Sequence, residues 1–131
     1  MANSYLLDTC VLVSGVLGDD AGISAKVRAI LDGDDDIFIS VASLWEINIK
    51  CMKGGAHGLP GTARDYHSAA TSASIVLLPV EMEDVHALTA LKRWKHKDPF
   101  DRLIVAAASC RDLTLLTPDT AIRKYLKSAS W

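Results

Sequence analysis

No apolar run in this 131-residue chain approaches the roughly 18 residues that a membrane span requires; Leu103 to Ala108 and Ile75 to Leu78 are among the longest. The chain therefore reads as soluble. No basic residue precedes the first apolar run, and Asp8 interrupts it, so no secretory signal is legible and a cytoplasmic setting is expected. Paired cysteines are lacking too. Cys10, Cys51 and Cys110 are far apart, odd in number and without Cys-x-x-Cys or Cys/His zinc spacing, which predicts reduced, buried, inert thiols. An excess of basic charge is also missing. With 14 Lys plus Arg against 16 Asp plus Glu, the net charge is −2, so a nucleic-acid partner has to be argued from local features. There is no internal repeat, and the glycine-rich stretch from Lys53 to Gly61 lacks the P-loop pattern, so it reads as a loop. Asp32 to Asp36 is not an EF-hand, because the required Gly and Glu positions hold Ile37 and Ser43; a solvated turn is expected, with Gly33 ending the preceding helix.

Half of the residues are apolar, enough for one sizeable core, and residues 1–131 are expected to form a single domain. Tyr5 to Leu7, Ile37 to Ser40, Ile75 to Leu78 and Leu113 to Thr117 have the short, apolar character of buried strands. Helical periodicity marks Thr9 to Leu17, Ile23 to Leu31, Val41 to Met52, Thr62 to Ser72, Met82 to Trp94, Pro99 to Arg111 and Asp119 to Tyr125. Continuous apolar strands separated by amphipathic helices predict a three-layer α/β fold with a parallel sheet.

In such sheets ligands bind beyond the carboxyl ends of the strands, and four acids lie there: Asp8, Glu46, Asp101 and Asp119. Helix capping explains three of them singly. Asp8 and Asp119 are ordinary N-caps, while Asp98, Pro99 and Asp101 match a capping pattern at Ncap, N1 and N3. Glu46 lies deeper in its helix. There Ala42, Trp45, Ile49 and Met52 form an apolar face, and Glu46 shares the other face with Lys50, its i,i+4 partner. Capping gives no reason for four separate segments to bring acids together, and clustered carboxylates repel unless a cation joins them. Mg²⁺ suits such a cluster because it takes oxygen ligands and can orient a phosphodiester and activate water.

None of His57, His67, His86 and His96 has a triad partner, although His96 adjoins the acidic helix start and could touch substrate. Basic residues gather nearby. Lys92, Arg93, Lys95, Lys97 and Arg102 flank that helix start, and Lys50 and Lys53 share the face of Glu46. Each is either a solvated charge or a phosphate contact; Lys50 and Arg102 are the candidates for RNA, with Arg102 also placed to pair with Asp98.

The ordered stretches Tyr5-Leu6-Leu7-Asp8-Thr9, Ser43-Leu44-Trp45-Glu46-Ile47, His96-Lys97-Asp98-Pro99-Phe100-Asp101-Arg102-Leu103-Ile104-Val105-Ala106 and Leu115-Leu116-Thr117-Pro118-Asp119 resemble PIN domains, in particular VapC-type toxins. That resemblance implies a parallel five-stranded sheet, Mg²⁺ or Mn²⁺ dependence, endonucleolytic cleavage of RNA, a small antitoxin partner and a homodimer or higher complex. It places Asp8, Glu46, Asp101 and Asp119 as catalytic metal ligands and leaves Asp98 as the helix cap. Ala107 departs from the Gln common in this subgroup, and no fifth strand is evident in Leu126 to Trp131. Val13, Val16, Leu17 and Val27 are either an interface or core. A receiver domain would need an Asp closing the third strand, where Leu78-Pro79 stands, and a dehalogenase-like phosphatase would need an acid at Cys10. The remaining alternative is a PIN fold that binds RNA or protein without cutting.

Overall fold

Strands that are apolar on both faces require helices on both sides, and the computed structural model, which describes residues 3–131, has that arrangement. Strands β1 (Ser4–Leu7), β2 (Asp36–Ser40), β3 (Val76–Leu78) and β4 (Thr114–Leu116) form a parallel sheet in the order β3-β2-β1-β4. In the central strand Leu7 lies between Ile39 and Leu116. The helices are α1 (Thr9–Leu17), α2 (Ala25–Leu31), α3 (Val41–Lys53), α4 (Ala63–Ser72), α5 (Met82–Ala87), α6 (Pro99–Cys110) and α7 (Thr120–Tyr125). Successive strand residues point to opposite faces, so Leu7 joins one core with Val11, Val27, Ile47 and Tyr66, while Leu6 joins another with Ile104, Val105 and Ile122. The fold is the three-layer α/β arrangement expected. No helix among the described residues is long and apolar enough to cross a membrane.

Several boundaries differ from the sequence reading. The fifth strand is reduced to a single parallel bridge between Leu116 and Ser130, with Ser130 N donating to the Leu115 carbonyl at 2.9 Å. The α2 helix starts at Ala25 rather than Ile23, because the Ser24 side chain caps it by accepting from Val27 N. It ends at a right-handed Asp32, without a glycine cap at Gly33. The helix expected from Met82 to Trp94 stops at Ala87, tightens into a 3₁₀ turn over Leu88–Leu91 and gives way to an irregular segment. The loop after α3 turns at Gly54 and Gly55, whose φ values of 63° and 68° suit glycine.

Two burial expectations are corrected. On α3 the inward stripe contains Ser43 and Ile47, with Leu44 and Cys51 packed against the core, whereas Trp45, Ile49 and Met52 are exposed. The thiols are not disulfide-bonded, but Cys10 and Cys110 are exposed and Cys51 is half-buried. Val27 is core; Val13 and Val16 pack partly against it, while Leu17 is 48% exposed.

Candidate active site

Parallel strand order places the ends of β1 and β4 side by side, and the chain leaves each through an acid. Asp8 has extended backbone angles and caps α1, its Oδ1 accepting from Thr9 N at 2.8 Å. Asp119 caps α7, accepting from Ala121 N at 2.8 Å and Ile122 N at 3.1 Å. Between them lies Thr117, fully buried at the end of β4. Its hydroxyl donates to Asp8 Oδ2 at 2.6 Å and accepts from Asp119 N at 3.1 Å, so one side chain fixes both acids. Thr117 was missed from sequence, and its signal was a hydroxyl at the strand end two residues before an acid. A second buried hydroxyl pair, Thr9 Oγ1 donating to Ser43 Oγ at 2.9 Å, ties α1 to α3.

Glu46 enters from α3 and Asp101 from the first turn of α6. Asp98 caps α6, as expected, through bonds from Phe100 N at 2.9 Å and Asp101 N at 3.1 Å. Trp45 and Phe100, each next to one of these acids, meet edge to face at 5.1 Å and hold the two helices in register. Asp8, Glu46, Asp101 and Asp119 thus line one cleft of about 360 Å³, together with Asp98. Among the described residues Lys50 is the one lysine or arginine lining it, paired with Glu46 at 3.2 Å. His96 joins at the rim, its Nε2 lying 2.7 Å from Asp101 Oδ2; His96, Asp101 and Asp119 offer ligand atoms within 4.8 Å of one another. Arg102 departs from one of its two expected roles. It does not pair with Asp98 but donates to the carbonyls of Leu91, Trp94 and His96 at 2.8 to 3.0 Å, fixing the irregular segment before α6.

The electrostatics are those of a site short of positive charge. Burial pushes the Asp8 carboxyl above its ordinary value, against the Thr117 and Thr9 hydrogen bonds, and the Glu46 and Asp119 charges push it further. Burial likewise pushes Asp101 up to about 6, with the His96 hydrogen bond opposing and the Asp8 and Asp98 charges adding. Glu46 Oε1 is buried without any hydrogen-bond partner. A buried, unpartnered carboxylate oxygen is costly, so a hard cation fits this set of oxygens. The Cys10 thiol also lines the cleft; desolvation of its sulfur on the cleft side and the Asp8 charge push it up to about 12, which keeps it protonated in the metal-free protein.

The PIN domain family matches residues 5–127, which carry all four acids. The chain belongs to that family. Among solved structures, this PIN domain is similar to VapBC2 from Rickettsia felis bound to a DNA fragment from its promoter, with TM-score 0.69 and 16% identity over 96% of this chain and 95% of that one. It is also similar to VapBC-1 from nontypeable Haemophilus influenzae, with TM-score 0.67 and 15% identity over 98% and 96% of the two chains. FitAcB from Neisseria gonorrhoeae gives TM-score 0.64 and 22% identity over 95% and 94%. At these identities the likeness is one of fold. By sequence, no match to a curated protein reaches significance.

Proposed function

We propose that this PIN domain, taking residues 1–131 as one domain, is a Mg²⁺-dependent endoribonuclease and the toxin of a toxin–antitoxin pair, with Mn²⁺ a workable substitute. The observation that carries the reading is the buried, unpartnered Glu46 Oε1 in a cleft that five acids line beside a single lysine. Asp8, Glu46, Asp101 and Asp119 would hold the cation. When bound, it neutralises the carboxylates, orients the phosphodiester and activates the attacking water.

The chain's own groups prepare that state. Thr117 locks Asp8 and Asp119 in place, the α6 cap spends one Asp98 oxygen on backbone N–H groups, and His96 restrains Asp101. Lys50 holds Glu46 by its other oxygen, Oε2, and would touch RNA from the cleft lining. The VapBC neighbours, read with the motifs, support a small antitoxin as partner; a homodimer or higher complex and a cytoplasmic location complete the proposal. The decisive experiment incubates mixed RNA with purified, antitoxin-free protein in Mg²⁺ and in Mn²⁺, beside Asp8→Asn. Cleavage by the wild type alone is the expected result. Equal products from both proteins, or none from either, would instead leave a PIN fold that binds RNA or protein without cutting.

A further inference from the structure

A second cleft lies beside the acidic one and has the opposite character. Its volume is about 450 Å³, and it is lined by Lys92, Trp94, Lys95, His96, Lys97 and Arg102, with no acid among them. The three lysines are exposed, while the two rings are half-buried. The wall is built in advance. Trp94 is sandwiched between His96, at 4.7 Å and 13° between planes, and Tyr125 of α7, at 4.5 Å and 10°. The Arg102 guanidinium lies 5.9 Å from the Trp94 ring centroid, and its three bonds to the carbonyls of Leu91, Trp94 and His96 fix a segment that has no regular structure of its own. The His96 bond to Asp101 joins this cleft to the acidic one.

We infer that this basic and aromatic cleft is a subsite for single-stranded nucleic acid. It holds the nucleotide flanking the scissile phosphate, with Lys92, Lys95 and Lys97 on its phosphates and its base against the outer face of His96, the ring that ends the Tyr125–Trp94–His96 stack. The inference rests on the nuclease reading above for the identity of the strand. The chemistry favours a flexible single strand over a duplex, because a base must leave its stack to lie against the rings. It also offers a local answer to how a chain of net charge −2 engages a polyanion: the cleft beside the acidic one is lined by three lysines and an arginine and by no acid.

The test is fluorescence anisotropy of a labelled oligouridylate of about ten nucleotides, a length within the range that such grooves cover. It uses the full chain carrying Asp8→Asn to suppress cleavage. Adding Lys92→Ala, Lys95→Ala and Lys97→Ala together should weaken binding about tenfold and lower the salt slope by about 2, as expected for three phosphate contacts on a single strand. Arg64→Ala, an exposed charge on α4, should leave binding unchanged. A strand of the same length with abasic riboses should bind at least about fivefold more weakly, from the low end of base–aromatic stacking. Unchanged binding by the triple variant, an equal loss from Arg64→Ala, or equal binding of the abasic strand overturns the subsite. Because the readout is binding, a wild type that failed to cleave would sink the nuclease reading without deciding this one.

Discussion

Two acidic regions of this molecule meet burial in opposite ways. Asp84, 1% exposed on α5, is gripped by Arg111 of the α6 C-cap, whose Nε and Nη2 reach its two oxygens at 3.0 and 2.8 Å, and it also accepts from Glu81 N at 2.8 Å. Burial works against its charge, yet the Arg111 and Glu81 hydrogen bonds and the Arg111 charge overcome it and hold the carboxyl below its usual value. Asp8 and Asp101 are shifted the other way by burial and by neighbouring acids. An acid with its own cation is part of the scaffold; acids such as Asp8, which no lysine or arginine pairs and which neighbouring acids push up, are arranged for a cation from outside. Arg111 also donates to the Pro79 carbonyl, which anchors the turn leading into α5.

The same chemical change should therefore have opposite consequences in the two regions. Asp8→Asn should reduce RNA cleavage by at least about a hundredfold, the upper end of what losses around a metal site produce. It should also raise the thermal midpoint of the metal-free protein, since it removes one of the repelling charges. Single-turnover cleavage and melting in EDTA measure the two effects. Asp84→Asn should do the reverse, leaving cleavage per folded molecule nearly intact but costing about 3 kcal/mol in urea denaturation, because Arg111 loses its charged partner. If both substitutions destabilise the metal-free protein alike, the division between the regions is wrong.

Thr117→Val sharpens the boundary of the metal-seeking region. It keeps the volume of a fully buried side chain but removes the hydroxyl that links Asp8 Oδ2 to Asp119 N. Metal affinity should fall about tenfold to a hundredfold, measured as the Mg²⁺ concentration giving half-maximal cleavage, with kcat at saturating metal less affected. A loss of stability without a change in metal dependence would assign Thr117 to packing alone.

How far these regions were legible differs for physical reasons. The strands were readable because residues 5–7 and 113–117 are apolar on both faces, and the strand-end acids followed from the parallel sheet. The face of α3 was misread because Trp45, Ile49 and Met52 repeat at helical spacing as well as any buried stripe does. Ser43 is inward because it meets the Thr9 hydroxyl, a contact 34 residues distant that periodicity does not encode. The Met82 to Trp94 pattern looked like one helix because apolar spacing continues through Leu88 and Leu91. What redirects the chain is Arg102, which binds carbonyls of residues 91, 94 and 96 from the following helix. The Asp84–Arg111 pair, 27 residues apart, gave no local sign at all.

The smallest effect is the pH dependence of stability, and its sign separates the regions once more. Asp101 stands at about 6 in the folded chain against 3.8 for the unperturbed group, and Asp8 is raised as well. Between about pH 4 and 6 the folded metal-free protein therefore binds more protons than the unfolded chain, so its stability falls as pH rises through that window. Asp84, held low, contributes stability that is present above 3.8 and lost as pH falls through its depressed folded value. Melting curves in EDTA at about pH 5 and about pH 7.5, for the wild type and Asp101→Asn, isolate the first effect. The wild type should lose more stability than the variant on going to the higher pH, and Mg²⁺ should return that difference at about pH 7.5 but not at about pH 5, where protons compete for the same oxygens. Parallel pH profiles for the two proteins would mean that Asp101 does not carry the strain of the acidic cleft.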